Sequence, residues 1–413
     1  MSEAKQQRAV RVINGIEELG AERWNAQACA PGRPRNPFVR YEFLEALERS
    51  GSVSDEAGWQ PFHLVLEAPA SDAAPAEVCG VLPQYVKAHS QGEYVFDYGW
   101  ADALHRAGGR YYPKLQCSIP FTPATGPRLL CQSPEDEAAL LAGSVQVAQQ
   151  VEVSSLHMTF MTEAQWHLAG SFGFLKRMDQ QFHWHNAGYE NFDGFLAELS
   201  SKKRKNLRRE RRDALAAGVE IEWVTGSDLR EHHWDAFYRF YLDTGSRKWG
   251  SPYLNREFFS LVSEAMPEDI LLILCKAHGD YIAGALNFIG EDTLYGRNWG
   301  CTEHHPFLHF ETCYYQAIDF AIDHKLARVE AGAQGSHKVA RGYLPQATYS
   351  AHWISDPRFR QAVSDYLENE REYVAEDIEH VERHTPFRND VDLRERSPAS
   401  LPVKDPRQTR DHP

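Results

Sequence analysis

The sequence predicts an α/β chain with a mixed sheet, built as two diverged copies of one domain in tandem. Three observations carry this. The 413 residues are enough for two ordinary domains. A set of landmarks occurs twice, in the same order, about 200 residues apart. And the second set of landmarks lies in a legible succession of strands and helices.

The landmarks begin with Trp24-Asn25-Ala26 and Trp234-Asp235-Ala236. Next come Pro37-Phe38-Val39-Arg40-Tyr41-Glu42-Phe43 and Pro252-Tyr253-Leu254-Asn255-Arg256-Glu257-Phe258, each opening a helical apolar pattern. Val78-Cys79-Gly80-Val81-Leu82 then resembles Ile282-Ala283-Gly284-Ala285-Leu286. Last, Tyr98-Gly99-Trp100 is matched to Arg297-Asn298-Trp299-Gly300, each closing a strand-like segment. A spacing this long means domain duplication, not a solenoid. The expected division is an N-terminal domain at 1–180, a C-terminal domain at 181–384 and a disordered polar tail at 385–413. Residues 68–77, rich in Ala, Pro and Asp, read as a loop between strands.

In the second copy a strand is expected at 219–224, followed by helices at 229–243 and 255–265. Strands at 270–277, 281–289 and 293–299 form a meander turned by Gly279-Asp280 and Glu291-Asp292. Residues 309–324 are an amphipathic helix with Phe310, Tyr314, Ala317, Ile318 and Ala321 on one face. A strand at 327–331 and a long helix at 358–379 complete the copy. This order resembles the acetyltransferase (GNAT) superfamily typified by the Gcn5-related enzymes.

Composition narrows the function. Hydrophobic residues are 42%, charged residues 25%, and the formal net charge is −14. That balance argues against a non-specific coat on DNA or anionic lipid. The longest apolar runs, such as 270–275, are strand-length, so no integral membrane segment is expected. The first ten residues hold no apolar stretch of the kind a signal peptide needs. Seven scattered cysteines without a Cys-x-x-Cys pair read as reduced thiols, which with the rest points to a cytoplasmic protein.

The most specific segment is Glu330-Ala331-Gly332-Ala333-Gln334-Gly335-Ser336-His337-Lys338-Val339-Ala340-Arg341-Gly342-Tyr343-Leu344-Pro345. A strand ends in a carboxylate and enters a glycine-rich turn, where Gly332, Gly335 and Gly342 permit positive φ. Ligands collect at the carboxyl ends of strands in α/β sheets. Lys338 and Arg341 share a side if the turn is helical, and with Gln334 could bind substrate. The alternative is a tight connection with solvated charges. A second candidate is 202–212, with eight basic residues in eleven. On a helix Lys205, Arg208, Arg209 and Arg212 cluster, as a phosphate site or as a solvated face. A third is Arg247-Lys248-Trp249, where Arg247 and Trp249 could stack on a substrate or simply plug a domain edge. The histidine pairs at 183/185, 232/233 and 304/305 match no zinc spacing, so no metal is expected.

The segment 330–345, with Gly296-Arg297-Asn298-Trp299-Gly300 and His309-Phe310-Glu311, resembles the Fem-like acyltransferases, in the peptidoglycan biosynthesis or recognition branch. The resemblance spans roughly residues 9 to 380 and implies tandem acetyltransferase-like domains. It implies transfer of an acyl or aminoacyl group to an amine, on a peptidoglycan precursor or another small-molecule or peptide acceptor. The donor would be an acyl-coenzyme A or an aminoacyl-tRNA, whose acceptor end is then a partner. Coenzyme A users carry a glycine-rich pyrophosphate loop before the helix. Here 301–309 has no glycine and is flanked by Glu303 and Glu311, a poor cradle for pyrophosphate.

Amine acylation needs a base, an oxyanion donor and an acid. The expected base is Glu330, then His337. Arg297 or a strand N–H would meet the oxyanion, and Tyr343 or Tyr314 would be the acid. Trp299, His309 and Glu311 would contact substrate. Two other classes compete: a non-catalytic module that recognises peptidoglycan or its precursors, and a tRNA- or nucleotide-binding regulator using 202–212.

Overall fold

Two antiparallel four-strand modules of the same order organise the chain. The computed structural model describes residues 8–69, 76–248, 252–332 and 335–391. The first half runs β1 (Ala9–Ile13), α1 (Ala21–Ala28), α2 (Tyr41–Arg49), β2 (Trp59–Pro61), β3 (His63–Ala68), β4 (Glu77–Leu82) and β5 (Tyr85–Lys87). It continues through α3 (Tyr98–Arg106), β6 (Lys114–Cys117), β7 (Leu130–Cys131), α4 (Pro134–Gln150), β8 (Ser155–Met161), α5 (Glu163–Ser171) and β9 (Leu175–His185). Then follow α6 (Phe192–Glu198), α7 (Ser201–Leu215), β10 (Glu220–Thr225), α8 (Glu231–Lys248), α9 (Arg256–Ala265), β11 (Ile270–Ala277), β12 (Asp280–Ile289) and β13 (Thr293–Cys301). The next helix starts as α10 (Leu308–Phe310), passes a π-helical turn (Glu311–Tyr315) and continues as α11 (Gln316–Asp323). β14 (Arg328–Glu330), β15 (Leu344–Ile354) and α12 (Pro357–Glu382) end the fold.

The modules are β1-β3-β4-β7 and β10-β11-β12-β13, each with a helix pair between its first two strands. Trp24 and Trp234 are buried in α1 and α8, and Gly80 and Gly284 sit in β4 and β12. Three of the four repeated landmarks therefore occupy equivalent places. The fourth is corrected: Tyr98-Gly99-Trp100 opens helix α3, whereas Asn298 and Trp299 lie in β13. The aromatic pair suggested a strand end, but Trp100, Ala101 and Leu104 recur at helical spacing and pack inward together.

The second module belongs to an eleven-stranded sheet of order β10-β11-β12-β13-β14-β9-β15-β8-β6-β5-β2. β9 pairs with β14 at its end and with β15 along nearly all its length. β15, the last strand of the chain, thus inserts between β8 and β9. The expected boundary at 180/181 falls inside β9. Between the halves, Phe38 and Phe43 of the first meet Phe258 and Phe288 of the second edge to face, at 5.2–5.8 Å between Phe38 and Phe288 and between Phe43 and Phe258. The buried carboxylate of Asp269 receives both Arg35 and Arg40.

The loop expected at 68–77 lies mostly outside the described residues. The tail is corrected as far as residue 391. Phe387 packs against Phe195, Ser200 N–H donates to Pro386 O, and Arg388 N–H donates to Glu198 O. A single aromatic in a polar stretch is enough to dock it. Among the described residues no helix is long and apolar enough to cross a membrane.

Candidate active site

The site is set by an irregularity in β13. Leu286 of β12 faces Asn298 and Asn287 faces Gly296, so Arg297 has no opposite number and forms a β-bulge. Bulges re-aim side chains and leave backbone groups out of the ladder. Arg297 Nη2 donates to Phe121 O, in the loop 118–129 of the first half. On the other side of β13, Tyr295 pairs in parallel with Glu330, and Glu330 pairs with His183 of β9. Directly paired residues share a face, so Tyr295, Glu330 and His183 look the same way.

Glu330 ends β14 and is 7% exposed. Burial raises its carboxyl to about 7, against the opposing pull of Arg328, Arg297 and Arg128. His183 Nε2 stands 3.9 Å from Glu330 Oε2. Burial holds this imidazole well below its ordinary value, so it is neutral at pH 7. Arg128, fully buried, donates to four carbonyls, those of Thr159, Gly126, Pro127 and Ala124. The result is a buried polar cluster between the halves, holding one carboxyl of near-neutral pKa under the opposing pull of three guanidiniums.

After Glu330 the chain turns at Gly332, Gly335 and Gly342, with φ of +76°, +108° and +88°. Lys338 Nζ donates to Ala331 O at 2.6 Å and Gly332 O at 2.9 Å, clamping the turn onto the strand end. Burial lowers its ammonium to about 8. Arg341 pairs with Glu210 at 2.8 Å, donates to His337 O and lies 3.4 Å from the Phe310 ring centre. Tyr314 Oη and His337 Nε2 are 3.0 Å apart, and the His309 ring lies 5.3 Å from Trp299. Tyr343 is 0% exposed and its hydroxyl donates to Tyr314 O. Glu311 is likewise 0% exposed and accepts from Arg211 and Gln316. Glu311 and Tyr343 thus hold the helix and the turn from inside.

The nominated residues therefore fall into two groups. Arg297 and Glu330 come together, joined by His183 and Arg128. Trp299, His309, Tyr314, His337 and Arg341 gather against the core built on Leu294, Val329 and Trp184, which point away from the Glu330 face. Gln334 and Trp249, and the side chain of Arg247, lie outside the described residues. On α7, Lys205, Arg208, Arg209 and Arg212 are exposed, with Arg208 on Asp193 and Arg212 on Asp213. Its inner face works through Glu210, on Arg341, and Arg211, on Glu311 and Asp319, two residues the sequence did not single out.

A groove of about 510 Å³ lies where the coenzyme loop would be, lined by Trp299, Cys301, Glu303, His305, Phe307 and His309 among others. Three amides at the helix start are already used: Leu308 N–H donates to His305 O, and Phe310 and Glu311 N–H to Phe307 O. Phe307 itself takes φ +62° where a glycine would be unstrained. Glu303 adds a carboxylate beside His305 at 3.1 Å. These residues do not fit a pyrophosphate.

Twinned antiparallel modules, each entered through a helix pair, one a separate four-stranded sheet and the other part of the large mixed sheet, make this a chain of tandem GNAT-like fold. More narrowly, the family model FemAB-like, described as peptidoglycan biosynthesis/recognition, matches residues 15–389, and the chain belongs to that family. Among solved structures, FemX aligns with TM-score 0.53 and 14% identity, over 84% of this chain and 98% of that one. The C-terminal domain of a putative lysylphosphatidylglycerol synthetase from Agrobacterium fabrum aligns with TM-score 0.50 and 8% identity, over 84% and 95%. A tandem GNAT protein from the clavulanic acid biosynthesis pathway reaches TM-score 0.44 and 11% identity, over 85% and 99%. At these identities the likeness is one of fold. No curated protein matches the sequence.

Proposed function

We propose that the chain transfers an acyl or aminoacyl group to a primary amine at the buried polar cluster between the halves. The acceptor would be a peptidoglycan precursor or a related small or peptide amine. The observation that carries this is Glu330: a buried strand-end carboxyl poised near pH 7, beside the Arg297 bulge. Ionised Glu330 takes a proton from the acceptor ammonium. The freed lone pair forms the C–N bond while the carbonyl π pair moves onto oxygen, met by Arg297 or the bulge N–H. Collapse breaks the bond to the leaving oxygen or sulfur, which departs with its pair and takes the proton back from Glu330. The amide nitrogen then sheds its extra proton to water.

In this reading His337, Lys338 and Arg341 position the turn that carries the strand end. The first half supplies the acceptor wall. The donor is an aminoacyl ester sooner than coenzyme A, because the groove at 301–310 has its helix-start amides at 308 and 310 already bonded, has no lysine or arginine among its lining residues and carries the Glu303 carboxylate. The same observation favours one second reading, a precursor-binding module without turnover. Both are tested by supplying purified protein with acetyl-coenzyme A or aminoacyl-tRNA and a peptidoglycan precursor. Transfer lost by a hundredfold or more in Glu330→Gln is the expected result for a general base. Precursor binding without transfer from any donor would leave only the second reading.

A further inference from the structure

Gln181 of β9 and Gln346 of β15 are register partners, so both side chains stand on one face of the sheet. Two residues along β9, on that same face, is His183, and beside it Glu330. The row Gln346, Gln181, His183, Glu330 thus crosses three strands. The loop 118–129 covers it. Gln181 Nε2 donates to Pro123 O at 2.7 Å, two residues from the Phe121 carbonyl that receives Arg297. One loop therefore brings Gln181 and Arg297 to the same place.

Gln181 is 1% exposed and His183 4%. Yet Gln181 Oε1, Gln346 Oε1, His183 Nε2 and Thr125 Oγ1 are buried without a hydrogen-bond partner among the described residues. Buried polar atoms are nearly always paired, because each unpaired one costs desolvation without return. Three in one row that ends at a carboxyl, with Thr125 of the covering loop as a fourth, mark a place built for a ligand. The donation to Pro123 fixes the amide of Gln181, so the atom left over is an oxygen. Gln346 turns its Oε1 into the same row, so both glutamines offer acceptors, which call for N–H or O–H donors.

We infer that Gln181 and Gln346 are positioning residues that receive the N–H groups of the acceptor amine and hold its nitrogen beside Glu330. This rests on the acyl-transfer reading above. The choice of glutamine has a chemical sense. An amide oxygen accepts N–H bonds but carries no charge, so it stabilises an ammonium less than a carboxylate would. The charged groups around the seat are Arg297 on β13, Arg128 in the covering loop, Arg328 and Glu330 on β14, Asp292 paired with Arg328, and Asp179 two residues before Gln181 on β9; His183 on β9 is neutral, and Tyr295 on β13 and Tyr94 in the first half are uncharged phenols. The guanidiniums further disfavour the ammonium. The nitrogen is held and made readier to pass one proton to Glu330, which becomes a neutral acid as the ammonium becomes an amine.

The test uses the full chain with glycinamide as amine probe and tetramethylammonium as a cation lacking N–H. Gln181→Leu and Gln346→Leu should each weaken glycinamide binding about tenfold, the loss expected for one hydrogen bond to a charged group. Tetramethylammonium should not compete. Gln346→Glu should tighten glycinamide and move the midpoint of the pH–rate profile upward, which a purely structural role would not do. Should Gln181→Leu fail to fold, the two Gln346 variants decide. Unchanged glycinamide binding in the folded leucine variants, competition by tetramethylammonium, or no glycinamide binding by the wild type at millimolar concentration would each overturn the seat. If transfer dies in Glu330→Gln while these glutamine variants behave as wild type, the seat fails and acyl transfer stands. If the seat behaves as expected and Glu330→Gln keeps full transfer, the base assignment fails alone.

Discussion

Replacing Glu330 by glutamine should trade activity for stability, and pH separates the two. In the unfolded chain its carboxyl titrates near 4.5, and in the folded protein near 7. The folded state holds that proton more tightly, so this contribution is complete below about 4.5 and lost as pH rises through 7. At pH 8 the buried carboxylate then costs on the order of 3 kcal/mol against a neutral side chain. Glu330→Gln should melt higher than wild type at pH 8, with the gap closing towards pH 4.5. A gap that is absent or independent of pH would remove the raised carboxyl. The buried imidazoles act in the other direction. His157, held down to about 3 by burial, meets His352, also held well below its ordinary value, at 2.7 Å between Nδ1 atoms. The unfolded chain takes protons on both that the folded chain refuses, so stability should fall as pH drops from about 6.5 towards 3. Urea midpoints that stay level from pH 7 to 4, once Glu330 is replaced by glutamine, would contradict this. Glu330 and Arg297 are legible in the sequence, because a carboxylate closing a strand before glycines and an arginine within a meander are local patterns. Gln181, Gln346 and Arg128 are not. Their roles come from strand register between distant segments, and His183 drew notice only as half of a metal-like pair with His185.

Among the elements, α7 shows how charge divides between fold and surface. Its basic run reads as one feature, but Arg211 turns inward to Glu311 and Asp319, while Arg212 faces solvent on Asp213. Arg211→Ala strands the fully buried Glu311 carboxylate and should cost about 3–5 kcal/mol, whereas Arg212→Ala should stay within about 0.5 kcal/mol. Equal denaturation midpoints for the two variants would contradict the division. The groove at 301–310 makes a further element-scale prediction. With its first amides bonded to residues 305 and 307, coenzyme A should show no saturable binding in calorimetry. Tight binding would reopen the donor question. The helices and strands from β10 to α11 follow their apolar periodicity closely, apart from the π turn, which period alone does not reveal. β15 is not among the strands expected above, although Gln346, Thr348, Ser350 and His352 alternate strictly with Ala347, Tyr349, Ala351 and Trp353, the polar set standing on the Glu330 side of the sheet.

At the scale of the molecule, the duplication is visible in sequence but the exchange of strands is not. Local pattern says where a strand is, and says nothing of which neighbours it takes. β15 comes from the C-terminal half, yet it lies between β8 and β9 and makes antiparallel ladders with both. Without it β8 and β9 each lose a neighbour, and α12 loses the β15 part of the surface it covers. Unpaired edges of this length expose ladder groups and apolar side chains together. A fragment ending at residue 180 also cuts β9 within its β15 ladder. It should therefore be unfolded or aggregated, showing no cooperative melt by circular dichroism. Adding residues 344–382 as a separate chain supplies the missing strand and helix, and should restore a cooperative transition if strand exchange is what unites the halves. A fragment 1–180 that melts cooperatively by itself would show that the first half owns a complete fold, and that β15 is an addition to it.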